Sequence, residues 1–350
     1  SKVASTHYRR ALMKRVLVPE TCPPSKRRTV ESCITDLDVQ DFEELGAFAG
    51  AGLEAVKLAL ERAHQSLTNG RIPISGAAVE LTKSGKLQVV TVGNNGRIPP
   101  LEPVQSGYPT DHGETAAIRE IEDVSKVDWS QVVFATTLSP CIMCGTALTW
   151  LWKLGLRRVV VAESSSFSGT ATMLEKLDGM IVIRLSNLQA QGMMKTFSLK
   201  YPWDWAADIG EIPPQDLGFS QSLEAKDVLE RFATKMAKEM KPGHQAAVVS
   251  AETIAASAED ERPRSGGNET RSAVMIAMGS AGSSINLREC VIFFQTSSPI
   301  LSLEEFGPVS VGACKLFRPA KVVVTADPAA ELKSSLEDAG IPVLVARSGM

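Results

Sequence analysis

His112-Gly113-Glu114, followed by Pro140-Cys141-Ile142-Met143-Cys144, is the stretch from which the rest of this chain can be read. One imidazole and two thiols form a ligand set that suits Zn²⁺, because three protein ligands leave the fourth tetrahedral position to water. Water bound there drops in pKa from about 15.7 toward about 7, so hydroxide exists at neutral pH. His112, Cys141 and Cys144 are the expected ligands. Glu114, a carboxylate two residues from the histidine, is the expected proton carrier beside that water.

The flanking residues say how these groups are presented. The run from Thr115 to Ile121 has good helix formers and no Gly or Pro, so Glu114 opens a helix. Gln131 to Thr137 reads as a buried strand, and Pro140-Cys141 opens a second helix that continues through Leu151. Helix N-termini favour the thiolate form of both cysteines. Taken alone, a C-x-x-C also reads as a redox pair, and an isolated histidine as a surface or core residue. The joint pattern decides for zinc, since no second C-x-x-C is present to complete a zinc ribbon.

Composition agrees with an enzyme of ordinary solubility. With 350 residues, 44% of them hydrophobic, and a formal net charge of −3, the chain can bury two sizeable cores and has no bulk preference for polyanions such as nucleic acid. Two of the six cysteines are assigned to metal, and Cys22, Cys33, Cys290 and Cys314 are scattered, which points to a reducing, cytoplasmic setting without a disulfide framework. No apolar run approaches the ~20 residues that span a bilayer, so no membrane partner is expected. Residues 1–30 are locally basic, with Lys2, Arg9, Arg10, Lys14, Arg15, Lys26, Arg27 and Arg28 against Glu20. That segment reads as a basic arm over an acidic body, with organelle targeting or RNA contact as the other readings.

Further elements follow from periodicity. Phe42, Leu45, Phe48, Leu53, Val56, Leu60 and Ala63 recur at helical spacing from Asp41 to about Asn69-Gly70. Ile74 to Leu81 and Leu87 to Gly93 read as a hairpin around Lys83-Ser84-Gly85-Lys86. Arg158 to Ala162 and Met180 to Ile183 are two more strands with a helix between them. The order α-β-β-α-β-α-β-α-β predicts a sheet covered by helices on both faces.

H-x-E…P-C-x-x-C is the signature of zinc hydrolytic deaminases, and residues 41–213 resemble the fungal-type cytosine deaminases of the cytidine deaminase superfamily. The resemblance implies a three-layer α/β/α cytidine-deaminase-like fold with bound Zn²⁺. It extends to the family's Gly-x-Asn-x-Arg segment, here Gly93-Asn94-Asn95-Gly96-Arg97, in which Asn95 would bind the pyrimidine. It places Phe167 against the face of the base. The family's closing segment is matched by Pro202-Trp203-Asp204-Trp205-Ala206-Ala207-Asp208-Ile209-Gly210-Glu211, with Trp205 as the lid aromatic and Asp208 as acceptor for the 4-amino group. Gly113 and Ser139 complete the implied substrate contacts. The implied reaction is hydrolytic deamination of free cytosine, or a close analogue, to uracil and ammonia. Hydroxide attacks C4 and Glu114 shuttles protons to the ring nitrogen and the leaving ammonia. A lid pressed on the ring leaves little space for ribose. The segment Gly96 to Asp111 is longer than the family's loop, and Trp203 adds bulk to the lid. Other readings are a tRNA adenosine deaminase with the basic arm on RNA, a guanine-type nucleobase deaminase, and a nonenzymatic regulator.

The remainder of the chain repeats the pattern. Val291 to Pro299 mirrors Val132 to Pro140, Lys321 to Asp327 mirrors Arg158 to Glu163, and Asn268-Glu269-Thr270 mirrors Gly113-Glu114-Thr115. A second, degenerate copy is therefore expected in tandem. In this alignment Gly267, Ile300 and Leu303 stand where the ligands should be, and Glu269 has no partner. The expected organisation is a basic arm over 1–40, a catalytic zinc deaminase domain over 41–213 and a noncatalytic deaminase-like domain over 214–350. Within the last, Ser222 to Met240 is the expected first helix and Ser250 to Gly267 an expected mobile loop. Because the family forms homodimers, the second copy is expected to take the partner's position as an intramolecular pseudo-dimer. Homodimerisation of the whole chain is left open.

Overall fold

Apolar spacing sets the first layer. The computed structural model describes residues 37–98, 108–211, 245–250, 253–282 and 287–346. Helix α1 (Ala49–Thr68) buries Ala51, Ala55, Val56, Ala59, Leu60 and Ala63, the three-to-four spacing of an amphipathic helix. Its regular part begins later than Asp41. Val39–Phe48 is a run of 3₁₀ turns capped by Asp38 and kinked at Gly46, whose φ of 56° suits a residue without a β-carbon.

The elements that follow are β1 (Ser75–Leu81), β2 (Leu87–Asn94), α2 (Gly113–Arg119), β3 (Val132–Thr136), α3 (Ile142–Lys153), β4 (Arg158–Val161), α4 (Ala171–Leu174), β5 (Ile181–Arg184), α5 (Leu188–Lys200) and α6 (Pro202–Asp208). Their sheet runs β2-β1-β3-β4-β5. β1 is antiparallel to both neighbours, and β3, β4 and β5 are parallel. Val133, Ala135, Val160 and Ala162 pack with α1 and with Ala190 and Met193 of α5. Val132, Phe134, Val159 and Val161 pack with Ile118 of α2 and with Met143 and Leu148 of α3. Apolar layers on both faces explain why β3 and β4 read as unbroken apolar runs.

The same unit recurs in β6 (Gln245–Ser250), β7 (Thr253–Glu259), α7 (Ala273–Ser280), β8 (Val291–Gln295), β9 (Ile300–Leu301), α8 (Leu303–Phe306), α9 (Pro308–Phe317), β10 (Lys321–Val324), β11 (Asp327–Pro328), α10 (Ala330–Glu337) and β12 (Val343–Val345). The second sheet runs β7-β6-β8-β10-β12, with β6 antiparallel to both neighbours and the last three strands parallel. Each hairpin carries one register shift, between Ala78 and Val79 in one and Val248 and Val249 in the other. The chain thus has a cytidine-deaminase-like α/β fold in two sheet-helix units, as a tandem duplication would build.

One apolar core joins the units: Ile118, Met143 and Leu148 share it with Met275, Phe294, Phe306 and Phe317. α9 lies so close along α3 that a β-carbon on Gly312 would sit 3.1 Å from Met143 Cα. Side chains of the second unit also cap the end of α2. Asn268 Nδ2 donates to Ile118 O at 2.9 Å and Arg271 Nη2 to Arg119 O at 2.8 Å, carbonyls that a helix end leaves without intrahelical donors.

One expectation needs correction, and three fall outside the described residues. Ser250 to Gly267 is no open loop, because Thr253–Glu259 pairs with β6 as an edge strand and Arg262–Arg264 forms a 3₁₀ turn. A partly exposed edge strand tolerates the Ala/Ser/Glu composition that mimicked a loop. The arm over residues 1–36, the helix expected at Ser222 to Met240 and the boundary near residue 213 lie outside the described residues. Among the described residues, no helix is long and apolar enough to cross a membrane.

Candidate active site and metal centre

Helix α2 starts deep in the molecule because glycines let it. A β-carbon on Gly113 would lie 2.6 Å from Ser75 backbone atoms, and one on Gly93 would lie 2.1 Å from Ala117 N. With neither present, α2 presses its first turn onto β1 and β2, and its N-cap His112 and first-turn Glu114 are buried. Thr115 fixes the entry by accepting from His112 N at 3.0 Å and donating to Thr110 O at 2.6 Å.

Cys141 is the N-cap of α3, and Cys144 follows one turn later on the same side. The candidate ligand atoms of His112, Cys141 and Cys144 lie within 4.8 Å of one another, and all three residues are buried. His112 Nδ1 is 3.3 Å from Cys141 Sγ. The other imidazole nitrogen, Nε2, faces Asp208 Oδ1 at 3.4 Å, an ion-pair distance. A carboxylate there favours a proton on Nε2 and leaves the Nδ1 lone pair for a metal. Two sulfurs and one imidazole nitrogen, closed to solvent, fit Zn²⁺.

The electrostatics are those of a ligand set. Burial pushes the Cys141 thiol up, but hydrogen bonding from Cys144 and the neighbouring His112 more than reverse this and leave it well below the ordinary thiol range. Cys144 is held well above that range by burial and by Cys141. Burial depresses His112, yet Asp208 and Cys141 outweigh it and raise the imidazole to about 9. Glu114 is raised by burial and by negative charge at Cys141. Its Oε1 accepts from Thr136 Oγ1 at 2.8 Å, which aims the carboxyl.

The structure brings the expected base-reading residues together, in part onto one another. Asn95 Nδ2 donates to both Asp208 oxygens at 3.0 and 3.1 Å, and Asn95 Oδ1 accepts from Arg97 N at 3.0 Å. Phe167 and Trp205 meet edge-on with centroids 6.0 Å apart. Both pack against the buried cluster of Ile72, Ile74, Leu138, Met194 and Phe197. Ser139 holds the loop that carries Phe167, donating from Oγ to Ser168 O at 2.6 Å and from N to Glu163 O at 2.9 Å. Trp203 does not fill the pocket, since it is 53% exposed. Sequence reasoning passed over Arg97, although it ends the Gly-x-Asn-x-Arg segment, and Phe317, for which no local signal exists. The Arg97 guanidinium sits over the Phe317 ring, 5.7 Å from its centroid.

The second unit corrects the expected correspondences. Helix α7, which packs on β6 and β7 as α2 packs on β1 and β2, has Ser272 as its N-cap, so Ser272 and not Gly267 stands at the place of His112. β9 and α8 are inserted ahead of α9, whose N-cap is Gly307, so Gly307 and Ser310 replace Ile300 and Leu303 as counterparts of Cys141 and Cys144. Ser272 and Ser310 share a hydrogen bond at 2.7 Å. Glu269 is not alone, because Arg262 Nη1 lies 3.1 Å from its Oε1. A β-carbon on Gly307 would lie 2.7 Å from Glu269 Oε2, 3.0 Å from Ser310 Oγ and 3.3 Å from Arg262 Nη1. The guanidinium, also paired with Asp260 and donating to the carbonyls of Glu304 and Glu305, thus lies beside the start of α9.

The sequence relatives agree with this donor set. The cytidine and deoxycytidylate deaminase zinc-binding region matches residues 53–163. A cytosine deaminase of Candida albicans is 30% identical over 158 residues, which are 45% of this chain and 96% of that protein. Among solved structures, one from a study of A-to-I editing by tRNA:A34 deaminases is 21% identical, with 38% of this chain and 96% of that chain covered at a TM-score of 0.28. A guanine deaminase from Nitrosomonas europaea is 18% identical, with 41% and 83% covered at a TM-score of 0.28.

Proposed function

We propose, for a chain that belongs to the cytidine and deoxycytidylate deaminase family, that its first half hydrolyses free cytosine, or a close analogue, to uracil and ammonia. The observation that carries this reading is the buried His112, Cys141 and Cys144 cluster with Glu114 on the same helix turn, aimed by Thr136. The choice of cytosine is supported by the relative named for that activity, nearly all of whose length is matched.

Zn²⁺ held by His112, Cys141 and Cys144 supplies a Lewis acid that makes a water acidic near neutral pH. Glu114 takes a proton from the attacking water and delivers it to the ring nitrogen beside C4. The water oxygen bonds to C4, Glu114 carries the remaining proton of that oxygen to the exocyclic amine, and the bond from C4 to that amine breaks, so that it leaves as ammonia and C4 becomes a carbonyl. A raised carboxyl suits that work, since it takes up a proton more readily than an exposed carboxylate and can return it. Asn95 and Asp208 would read the ring's polar edge, exchanging part of their mutual hydrogen bonding for bonds to substrate. Phe167 and Trp205 would close on its face, Ser139 would hold the Phe167 loop, and Gly113 would keep the α2 backbone close.

The second half, with Ser272, Gly307 and Ser310 at the ligand places, is read as noncatalytic and as the partner subunit of an intramolecular pseudo-dimer. A panel of cytosine, 5-substituted cytosines, cytidine, guanine and an adenosine-bearing RNA, scored for ammonia release, tests the reading. Cytosine should turn over fastest, and turnover of the RNA alone would overturn the assignment.

A further inference from the structure

We infer that Phe317, on the last turn of α9 in the second half, is a positioning residue for the first half's metal site, so that the second half completes that site. The inference rests on His112 being a metal ligand. The Phe317 ring meets the His112 imidazole edge-on, with centroids 6.4 Å apart and planes at 89°. Its face lies under the Arg97 guanidinium, two residues beyond Asn95, and the side chain is 5% exposed. One aromatic ring therefore packs on a ligand and on the segment that carries a base-reading amide.

A second contact from the same turn reaches the segment that follows α6. A β-carbon on Gly210 would lie 2.3 Å from Leu316 O, so only a glycine lets the two backbones approach this closely. Arg288 of the second half donates to Gly210 O. Gly210 follows the end of α6, two residues after Asp208, whose carboxylate faces His112 Nε2. The imidazole is thus held between an aromatic edge supplied by the second half and a carboxylate on a helix that the second half tethers at its end. Groups that orient a ligating histidine without touching the metal typically change metal affinity or activity by about 10- to 100-fold when removed. A buried ring in that position also keeps water from the ligand.

The test loads the full chain with zinc and follows zinc release to an excess of chromogenic chelator under native conditions. Phe317→Ala should release zinc about 10-fold faster than wild type, with Phe317→Leu in between. Val323→Ala, a buried change in the same half but in a separate apolar cluster on the outer face of the second sheet, should match wild type. Wild-type release from Phe317→Ala, or equal acceleration in Val323→Ala, would overturn the inference. Should Phe317→Ala fail to fold, Phe317→Leu decides: release faster than Val323→Ala supports the inference, and equal release overturns it. Because no substrate is present, the result is separate from the choice of base. A wild-type chain inert toward cytosine would refute that reading and leave this inference standing.

Discussion

Helices α2 and α7 start at matching places on two sheets with the same strand order, yet their N-caps are His112 in one and Ser272 in the other. Around His112 gather two thiols, a donor set for a divalent cation. Around Ser272 gather Ser310, a glycine and the guanidinium of Arg262, a cation carried by the chain itself. Both arrangements put positive charge beside carboxylates withdrawn from solvent, the buried Glu114 and Asp208 in the first half and the partly buried Asp260 and Glu269 in the second. The difference teaches that the layered fold needs the local charge balanced, and that only the exchangeable cation brings chemistry with it.

The comparison breaks most visibly at the ligands. Cys141→Ala should lose bound zinc and all measurable turnover, whereas wild type should carry one zinc per chain by elemental assay. Two zinc ions per chain would show that the second half binds metal after all. Next in size, Glu114→Ala should keep its zinc and lose turnover by about 10²- to 10⁴-fold, the span of a positioned acid-base group. A matching loss of zinc would make Glu114 a ligand rather than a proton carrier.

A smaller effect is expected at the fixed cation. Arg262→Met strips the partner from Asp260 and Glu269, and removing one side of a buried ion pair costs about 3–5 kcal/mol. Denaturant unfolding should show that loss while zinc per chain stays constant. Adding Glu269→Gln should recover part of the stability, since it removes one of the orphaned charges. Burial raises Glu269 to about 7 even beside Arg262, so its neutral amide mimic fits the site. No stability change in Arg262→Met would mean that the pair is decorative.

Much of the first half was legible in the sequence because its signals are local. V-V-F-A-T and R-V-V-V are buried on both faces and so read as unbroken apolar runs, and the three ligands sit at two helix starts that Gly113 and Pro140 announce. The second half was legible in its strands and misleading at its site. Asn268-Glu269-Thr270 looks like Gly113-Glu114-Thr115, but it forms a 3₁₀ turn ahead of Ser272, where the helix begins. The insertion of β9 and α8 shifts the next helix start away from Ile300. Phe317 could not be read at all, because its place beside His112 is created only when α9 packs along α3.

The last contrast is with pH. In the metal-free chain His112, raised to about 9 by Asp208 and Cys141 against the effect of burial, keeps its proton at neutral pH. Cys144 is raised well above the usual thiol range, whereas Cys141 is lowered well below it. Metal binds only the neutral imidazole and the thiolate, so zinc taken up near pH 7 must displace the His112 proton together with any that the thiols hold. Apparent zinc affinity should then rise with pH between about pH 6 and 8, by at least roughly 10-fold per unit for the His112 proton, and less steeply once pH passes the His112 value. Chelator competition across that range measures the slope, and calorimetry in buffers of different ionisation enthalpy counts the protons. The fixed cation of the second half gives up no proton over that range, since the Arg262 guanidinium is raised further by Asp260 and Glu269, and the group there that titrates is Glu269 at about 7. A flat affinity profile would mean that the imidazole and thiol protons have already left before the metal arrives.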